Sequence, residues 1–233
     1  MSDYVETFKL LSEHVTLKRT LRASVLLRFL QEASIAHTIE LGYPKEKTLE
    51  RGLLWVIARQ SVSIKRMPSY DETITLRSWP CETMRFLFPR AYQITDEAGE
   101  VIIEGMAVWA LIEEKNRKIV FPDDYGILIP DGSNGRELPF PRGLKLADLP
   151  NKISFVAPFS KCDINGHLSN TAYLDIAEDL IPLDYLKGHT LSEIVVDYKK
   201  EIRAGAEVEL AYGPYGEGFA FNNDCFSILL KYR

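Results

Sequence analysis

Cysteine and excess basic charge are both scarce in this sequence of 233 residues, and each shortage excludes a class of protein. The three cysteines, Cys81, Cys162 and Cys225, are far apart and odd in number. They fit neither a disulfide framework nor a zinc site, and they are typical of a reducing compartment. Lysine and arginine total 28 against 33 aspartates and glutamates, for a net charge of -5. This balance argues against nucleic acid as the main partner, because phosphate binding needs a basic surface.

Long hydrophobic runs and several catalytic signatures are missing as well. No stretch approaches the roughly 18 apolar residues of a membrane span, and residues 1–6 carry acids where a signal peptide would carry bases. We therefore expect a cytoplasmic protein with no membrane span. The chain has no G-x-S-x-G elbow, no glycine fingerprint for a dinucleotide and no recognisable spacing of metal ligands. We accordingly expect neither a cofactor nor a metal.

What the sequence does contain is an internal repeat. Residues 62–76 align without a gap with residues 196–210. Valine, lysine and leucine recur at equivalent positions, a second basic residue follows the lysine, and Ile74 matches Val208. Each copy is typical of a strand, a tight break and a second alternating strand.

A helical pattern precedes each copy of the repeat. Apolar residues recur at helical spacing in residues 25–39, ending near Gly42, and in residues 172–180, ending near Pro182. Further alternating segments follow each copy. Each half therefore predicts an α+β layout in which a long helix packs on a curved antiparallel sheet, the arrangement called the hotdog. Two such halves make a tandem (double) hotdog; the alternative is two unrelated α+β domains.

Residues 126–150 separate the two halves. They hold four glycines and four prolines, which is the composition of a linker. The sequence thus predicts an N-terminal hotdog over residues 1–125, a linker over 126–150 and a C-terminal hotdog over 151–233. Two fused hotdogs form a pseudo-dimer within one chain, and a homodimer of whole chains stays open. The second half is shorter, which leaves open whether its last strand is present.

The polar cluster in residues 163–167 is the main candidate site. Asp163, Asn165 and His167 occupy every second position. An extended backbone would place all three on one face and Cys162 on the other. A helix that starts near Asn170 would add free backbone N–H groups. The alternative is an exposed polar turn whose Asp and Asn side chains bond the backbone.

The repeat favours a site over a turn. The equivalent stretch of the first half, residues 18–22, contains none of the three side chains, and Glu201 of the second half matches Met67 of the first. A polar set present in only one of two copies is more typical of a site than of scaffolding. For Glu201 alone, an ordinary surface ion pair with Lys199 or Lys200 is the competing interpretation.

Several motifs in linked order resemble those of the acyl-ACP thioesterases. The pattern Asp163-x-Asn165-x-His167-x-x-Asn170-x-x-Tyr173 resembles the motif at the hotdog helix of that family, and residues 197–202 resemble its downstream segment. Residues 54–59, 67–72, 108–110 and 116–118 resemble its N-terminal landmarks. The family's usual cysteine falls at Ile202, which excludes a cysteine nucleophile at that position.

The resemblance implies hydrolysis of a fatty acyl-ACP thioester, with acyl carrier protein as the partner. In that reaction Glu201 is the expected general base, His167 assists it and Asn165 positions the substrate. Asp163 is expected to orient the histidine or the asparagine. Asn165 and the N-terminal amides of the following helix are candidate donors to the oxyanion. An exchange of roles between Glu201 and His167 stays open, and Cys162 is not expected to take part.

The first half lacks these groups, and its aromatic residues either shape an acyl pocket or fill the core: Trp55, Phe86, Phe88, Tyr92 and Trp109. Candidate docks for an acidic carrier are the basic clusters Lys18-Arg19-Arg22, Lys65-Arg66 and Lys115-Arg117-Lys118. Each cluster is equally consistent with a solvated face. Three alternatives stay open: an acyl-CoA thioesterase on the same fold, a hotdog hydratase or dehydratase, and a non-catalytic acyl-binding hotdog.

Overall fold

The computed structural model describes residues 3–233; Met1 and Ser2, at the acidic start of the chain, lie outside the described residues. The first half contains five strands and two helices. They are β1 (Tyr4–Lys9), α1 (Ala23–Glu40), α2 (Lys45–Leu49), β2 (Leu53–Ile64), β3 (Thr73–Pro80), β4 (Leu87–Thr95) and β5 (Val101–Glu113). Within the described residues, no helix is both long and apolar enough to cross a membrane.

The second half repeats this order of elements. They are β6 (Asn151–Val156), α3 (Ala172–Asp179), α4 (Leu183–Gly188), β7 (Leu191–Tyr198), β8 (Glu207–Tyr215), β9 (Gly218–Asn222) and β10 (Phe226–Tyr232). The second half therefore has as many strands as the first, so its last strand is present. Residues 126–150 contain no helix or strand; the division of the chain at these positions stays a prediction.

The helices of the two halves differ in length. Helix α1 has 18 residues, as the periodicity predicts, and the chain leaves it through Gly42 with a left-handed φ of 88°. Helix α3 has only 8 residues, so the expectation of a long helix in the second half is wrong. Pro182 follows soon after and cannot continue the helical hydrogen bonds. The chain restarts as α4 at Leu183.

All ten strands form one antiparallel sheet with a near-symmetric order. The order is β1-β3-β4-β5-β2-β7-β10-β9-β8-β6, so each half contributes its strands in the same sequence from the outer edge to the centre. The two halves meet where β2 pairs with β7, and Ser61 there pairs with its own repeat equivalent, Val195. This symmetry confirms the tandem hotdog and contradicts two unrelated domains.

The main core lies between one face of the sheet and the helices. Helix α1 buries Leu26, Leu30 and Ala33 against it, because residues three and four apart fall on one face of a helix. On the opposite face of the sheet, Arg59 of β2 pairs with Asp197 of β7, with 2.6 Å between Nε and Oδ1. Asp197 also accepts the backbone N–H of Leu144, so this ion pair fixes both the β2–β7 junction and the segment that links the halves.

Candidate functional site

The residues of the polar cluster lie on a tight turn. The Asp163 N–H donates to the His167 carbonyl over 2.7 Å, and the Gly166 N–H donates to the Asp163 carbonyl over 3.0 Å. Gly166 has φ of 76°, a left-handed conformation that glycine adopts without steric cost. The expectation of an extended segment with alternating faces is therefore wrong at this point, because the chain reverses at Gly166.

The Asp163 carboxylate organises this turn from within. Its Oδ1 accepts the backbone N–H groups of Asn165 and His167, at 2.8 and 3.1 Å. Its Oδ2 accepts the Asn165 side-chain amide at 3.3 Å. This is the Asx-type bonding considered as the alternative for the polar cluster. Asp163 thus orients Asn165 directly and His167 through its backbone.

Glu201 and His167 come together because their backbone segments are paired. His167 forms an antiparallel bridge with Arg203, and the Leu168 N–H donates to the Ile202 carbonyl over 2.7 Å. The pairing brings His167 Nε2 to 3.6 Å from Glu201 Oε2. The imidazole is largely buried, with 14% of the side chain exposed, whereas 41% of the Glu201 side chain is exposed. An acid–base pair with access to water results.

Arg117 of the first half completes this cluster. Its Nη2 lies 3.1 Å from Glu201 Oε2. It sits in the turn after β5, where its own N–H donates to the Glu113 carbonyl. The sequence placed Arg117 in a basic cluster and in the family motif at residues 116–118, and it predicted no catalytic group in the first half. The one available signal was the motif at residues 116–118.

Lys199 does not form the surface ion pair with Glu201 that was the alternative interpretation of the sequence. The Lys199 ammonium donates instead to Asn222 Oδ1 and the Asn223 carbonyl, at 3.1 and 3.0 Å. The observed partners of Glu201 are His167 and Arg117. Glu201 is thus part of a cluster contributed by both halves.

The first half contains the same turn without the polar side chains. Thr16 and Thr20 make the backbone bond that Asp163 and His167 make in the second half, at 2.8 Å. Lys18 occupies the position of Asn165, and its ammonium donates to the Leu186 and His189 carbonyls at the end of α4. The backbone turn is present in both halves, whereas the acid–base side chains are present only in the second half.

The main cavity of the protein has a volume of about 930 Å³ and reaches the polar cluster. Its lining includes Asp163, Asn165, His167 and Glu201, together with Trp55, Phe88 and Trp109 of the first half. An adjoining pocket of about 300 Å³ shares Trp55, Arg117, Asn165, His167 and Glu201. The polar cluster therefore lies where the two spaces meet. The volume of the main cavity is in the range of known ligand sites.

The other aromatic candidates do not line the main cavity. Tyr92 is buried in the core, and Phe86 packs edge-on against Phe121. Cys162 also lies outside the cavity lining, and its Sγ contacts the Pro158 carbonyl at 3.3 Å. Asn170 does line the cavity, but the N-cap of α3 is Thr171 rather than Asn170.

The charged side chains along the cavity are mostly basic. Six cations line it, against the three carboxylates of Glu32, Asp163 and Glu201: Arg28, Lys45, Arg90, Arg117, Lys199 and Lys200. Of the three basic clusters noted in the sequence, only Arg117 reaches this lining. Arg66, for example, is engaged by Glu72 and Asp96.

Comparisons with known proteins agree with the fold and the order of motifs. The acyl-ACP thioesterase N-terminal domain model matches residues 2–125, and the C-terminal domain model matches residues 148–226. A chloroplastic acyl-[acyl-carrier-protein] hydrolase of Cuphea viscosissima is 23% identical over 91% of this chain and 56% of its own length. Oleoyl-acyl carrier protein thioesterase 2 of Arabidopsis thaliana is 24% identical over 85% of this chain and 59% of its own.

A solved structure extends this agreement to the whole fold. The crystal structure of an acyl-ACP thioesterase from Bacteroides thetaiotaomicron superposes with a TM-score of 0.86 at 21% identity, covering 98% of this chain and 97% of that one. The chain spans a little over half the length of the curated relatives it matches. Since the two domain models together match most of its residues, the chain belongs to the acyl-ACP thioesterase family.

Proposed function

We propose that the protein hydrolyses the thioester of a fatty acyl chain carried on acyl carrier protein and releases the free acid. The observation that carries this proposal is the main cavity, which joins the apolar walls of the first half to the Glu201–His167 pair of the second. An acyl chain in this cavity would leave its thioester beside the acid–base groups. The relatives named as acyl-ACP hydrolases and thioesterases support the same reaction.

In the proposed mechanism a water molecule attacks the thioester carbonyl carbon. Glu201 accepts the proton of that water, and His167, 3.6 Å away, assists the transfer. The Asn165 amide donates to the oxyanion of the tetrahedral intermediate. Collapse of the intermediate breaks the C–S bond, and the departing thiolate takes up the proton. An exchange of roles between Glu201 and His167 uses the same geometry.

Arg117 supports this mechanism by holding the Glu201 side chain in place beside the cavity. Its guanidinium lies 3.1 Å from Glu201 Oε2, and an ion pair with an arginine restricts the orientation of a carboxylate. The first half thereby contributes one side chain to the reaction as well as the acyl-binding walls.

Acyl carrier protein is proposed as the carrier from the relatives' names. The charges alone fit both acyl carrier protein and coenzyme A, because each presents a phosphate-bearing group. Arg28, Lys45, Lys199 and Lys200 line the cavity and suit an anionic prosthetic group and an acidic carrier surface. A cytoplasmic location is proposed on the three free cysteines, Cys81, Cys162 and Cys225.

Thiol release from matched acyl-ACP and acyl-CoA substrates of several chain lengths tests the proposal. We expect faster release from the carrier than from coenzyme A. Release from coenzyme A alone would move the assignment to an acyl-CoA thioesterase. Water addition to an enoyl thioester without hydrolysis would identify a hydratase, and binding without turnover of either thioester would leave an acyl-binding protein.

A further inference from the structure

The wall of the main cavity contains a buried arginine that the proposed mechanism does not use. Arg90 of β4 is only 4% exposed and lines the cavity. Its Nη1 donates to His37 Nδ1 at 2.9 Å and to Ser78 Oγ at 3.2 Å. Among the described residues, no acceptor takes the hydrogens on its Nε and Nη2. An arginine has five N–H donors, so three of them have no protein acceptor in the part of the chain that the structure describes.

The charge of Arg90 has no counter-ion in the described part of the chain. No carboxylate oxygen there lies within 4.0 Å of its guanidinium. Asp3, the carboxylate whose charge acts on His37, is held by both terminal nitrogens of Arg136, at 2.7 and 2.8 Å. Burial, with Arg90 as a second cause, lowers the pKa of His37 to about 4, so this neighbour is a neutral acceptor. A buried charge without a partner is costly.

The surroundings of Arg90 are short of acceptors in general. The Trp109 indole N–H, in the same cavity wall, is buried without a partner. The Trp109 N–H lies near the Tyr92 hydroxyl without forming a hydrogen bond of normal geometry. That hydroxyl is already 2.6 Å from Ser34 Oγ. Acceptors for the remaining Arg90 hydrogens are therefore scarce in this part of the wall.

Arg90 is also far from the acid–base pair. It stands opposite Ala107 of β5, whereas Arg117, which contacts Glu201, is bonded through its backbone to Glu113. Ala107 and Glu113 are six residues apart on β5, which corresponds to about 20 Å of extended strand. The group that reaches Arg90 is thus distant from the thioester.

We propose that the cavity accepts acyl chains that bear a second oxygen group remote from the thioester, a terminal carboxylate above all, and that Arg90 binds this group. The inference deepens the proposed thioester hydrolysis by naming its substrate class. The free Nε–H and Nη2–H lie on one edge of the guanidinium, and this fork matches a carboxylate with two parallel hydrogen bonds. A carboxylate also supplies the missing counter-charge, which a hydroxyl or oxo group does not.

The first test uses the unmodified protein and three acyl-ACP substrates of equal chain length, ending in a methyl, a hydroxymethyl or a carboxylate group. We expect kcat/KM for the carboxylate to exceed that for the methyl by about tenfold or more, the scale of a hydrogen bond to a charged group, with the hydroxyl between them. A preference for the methyl-terminated chain would overturn the proposal. Equal rates for all three would overturn it too.

The second test replaces the arginine. Arg90→Met should remove the preference, so that kcat/KM for the carboxylate-terminated chain falls to or below that for the methyl-terminated chain in the same variant. Arg77→Met, the same change at an exposed position of β3, is the matched control and should keep the preference. If Arg90→Met does not fold by circular dichroism, Arg90→Lys serves instead, because it keeps the charge and loses the fork. A full preference in a folded Arg90 variant would contradict a binding role.

A third measurement separates this inference from the proposed hydrolysis. Calorimetry compares the binding of a free long-chain dicarboxylate with that of the monocarboxylate of equal length. Tighter binding of the dicarboxylate that Arg90→Met abolishes supports the inference even if no thioester is cleaved. Hydrolysis of plain acyl-ACP by a protein that binds both acids equally would leave the proposed function intact and overturn the role of Arg90.

Discussion

The Arg117 guanidinium lies 3.1 Å from the Glu201 carboxylate, and the two residues come from opposite halves of the chain. Arg117 follows β5 of the first half, and Glu201 follows β7 of the second. The half for which the sequence predicted no catalytic group therefore contributes a side chain that contacts Glu201.

Replacement of Arg117 tests whether the first half contributes to the reaction. Arg117→Met should lower kcat on acyl-ACP by about tenfold, a moderate loss because both side chains are partly exposed and the ion pair is screened. Lys118→Met, an exposed neighbour in the same turn, is the control and should keep kcat. Equal effects of the two variants would assign the loss to surface charge.

His167 is expected to be essential and Cys162 dispensable. His167→Ala should reduce kcat by about 100-fold or more, the usual scale of an acid–base group, because its Nε2 is 3.6 Å from Glu201. Cys162→Ala should keep most of the activity, because Cys162 is outside the cavity lining. A folded Cys162→Ala protein without activity would point to a covalent route.

Asp163 is expected to contribute by holding the turn of residues 163–167 together rather than by its negative charge. Asp163→Asn preserves an oxygen that can accept the Asn165 and His167 N–H groups, so kcat/KM should stay within about threefold of the original. Asp163→Ala leaves both donors free and should lower kcat/KM by about tenfold or more. Thr16→Ala, at the equivalent turn of the first half, is the matched control for loss of turn bonding. A strong loss in Asp163→Asn alone would indicate that the negative charge is required.

The Arg59–Asp197 pair should stabilise the junction of the two halves. Asp197 is 8% exposed and accepts from both Arg59 and Leu144, so Asp197→Ala leaves two donors without their partner. We expect the free energy of unfolding to fall by about 2–3 kcal/mol, toward the lower end for a broken buried pair because Arg59 is partly exposed. Chemical denaturation measures this change. A double-mutant cycle with Arg59→Met should show strong coupling, and simple additivity would contradict the pairing.

His37 should make the protein less stable in mild acid. Burial, followed by the Arg90 charge, lowers its folded-state pKa to about 4, whereas an unfolded histidine titrates near 6.5. The unfolded chain therefore binds the extra proton first, and stability is lost as the pH falls from about 6.5 to about 4. The full shift corresponds to about 3 kcal/mol. His37→Asn keeps an acceptor for Arg90 and should lack this part of the pH dependence in denaturation curves measured at pH 7 and 5.

The repeat predicted much of the fold because its two copies occupy equivalent strands. The break after Ile64 and the break after Tyr198 both lead to the next strand of their own half, β3 and β8, so a gapless alignment was enough to predict the tandem layout. The bounds of α3 were predicted closely, since the apolar spacing of residues 172–180 ends near Pro182 and the helix runs from Ala172 to Asp179. Only the expectation that this helix is long, as α1 is, was wrong.

The site was predicted in part because its polar residues are close in sequence. Asp163, Asn165 and His167 stood out as a set, and the structure places them on one turn, although the reversal at Gly166 was read as a strand. Arg117 and Arg90 reach the cavity through strand pairing across the sheet, which no local pattern encodes. Arg90 lies in a strand of mostly apolar residues, and the sequence alone does not show toward which face of the sheet its side chain points.

Glu201 is expected to enable water to attack the acyl-ACP thioester. Glu201→Gln keeps the size of the side chain and removes the proton acceptor, so the initial rate of thiol release from acyl-ACP is the most direct measurement. We predict that this rate falls by about 100-fold or more, with KM and thermal stability nearly unchanged. A rate within about threefold of the original enzyme would contradict the assignment of Glu201 to the reaction.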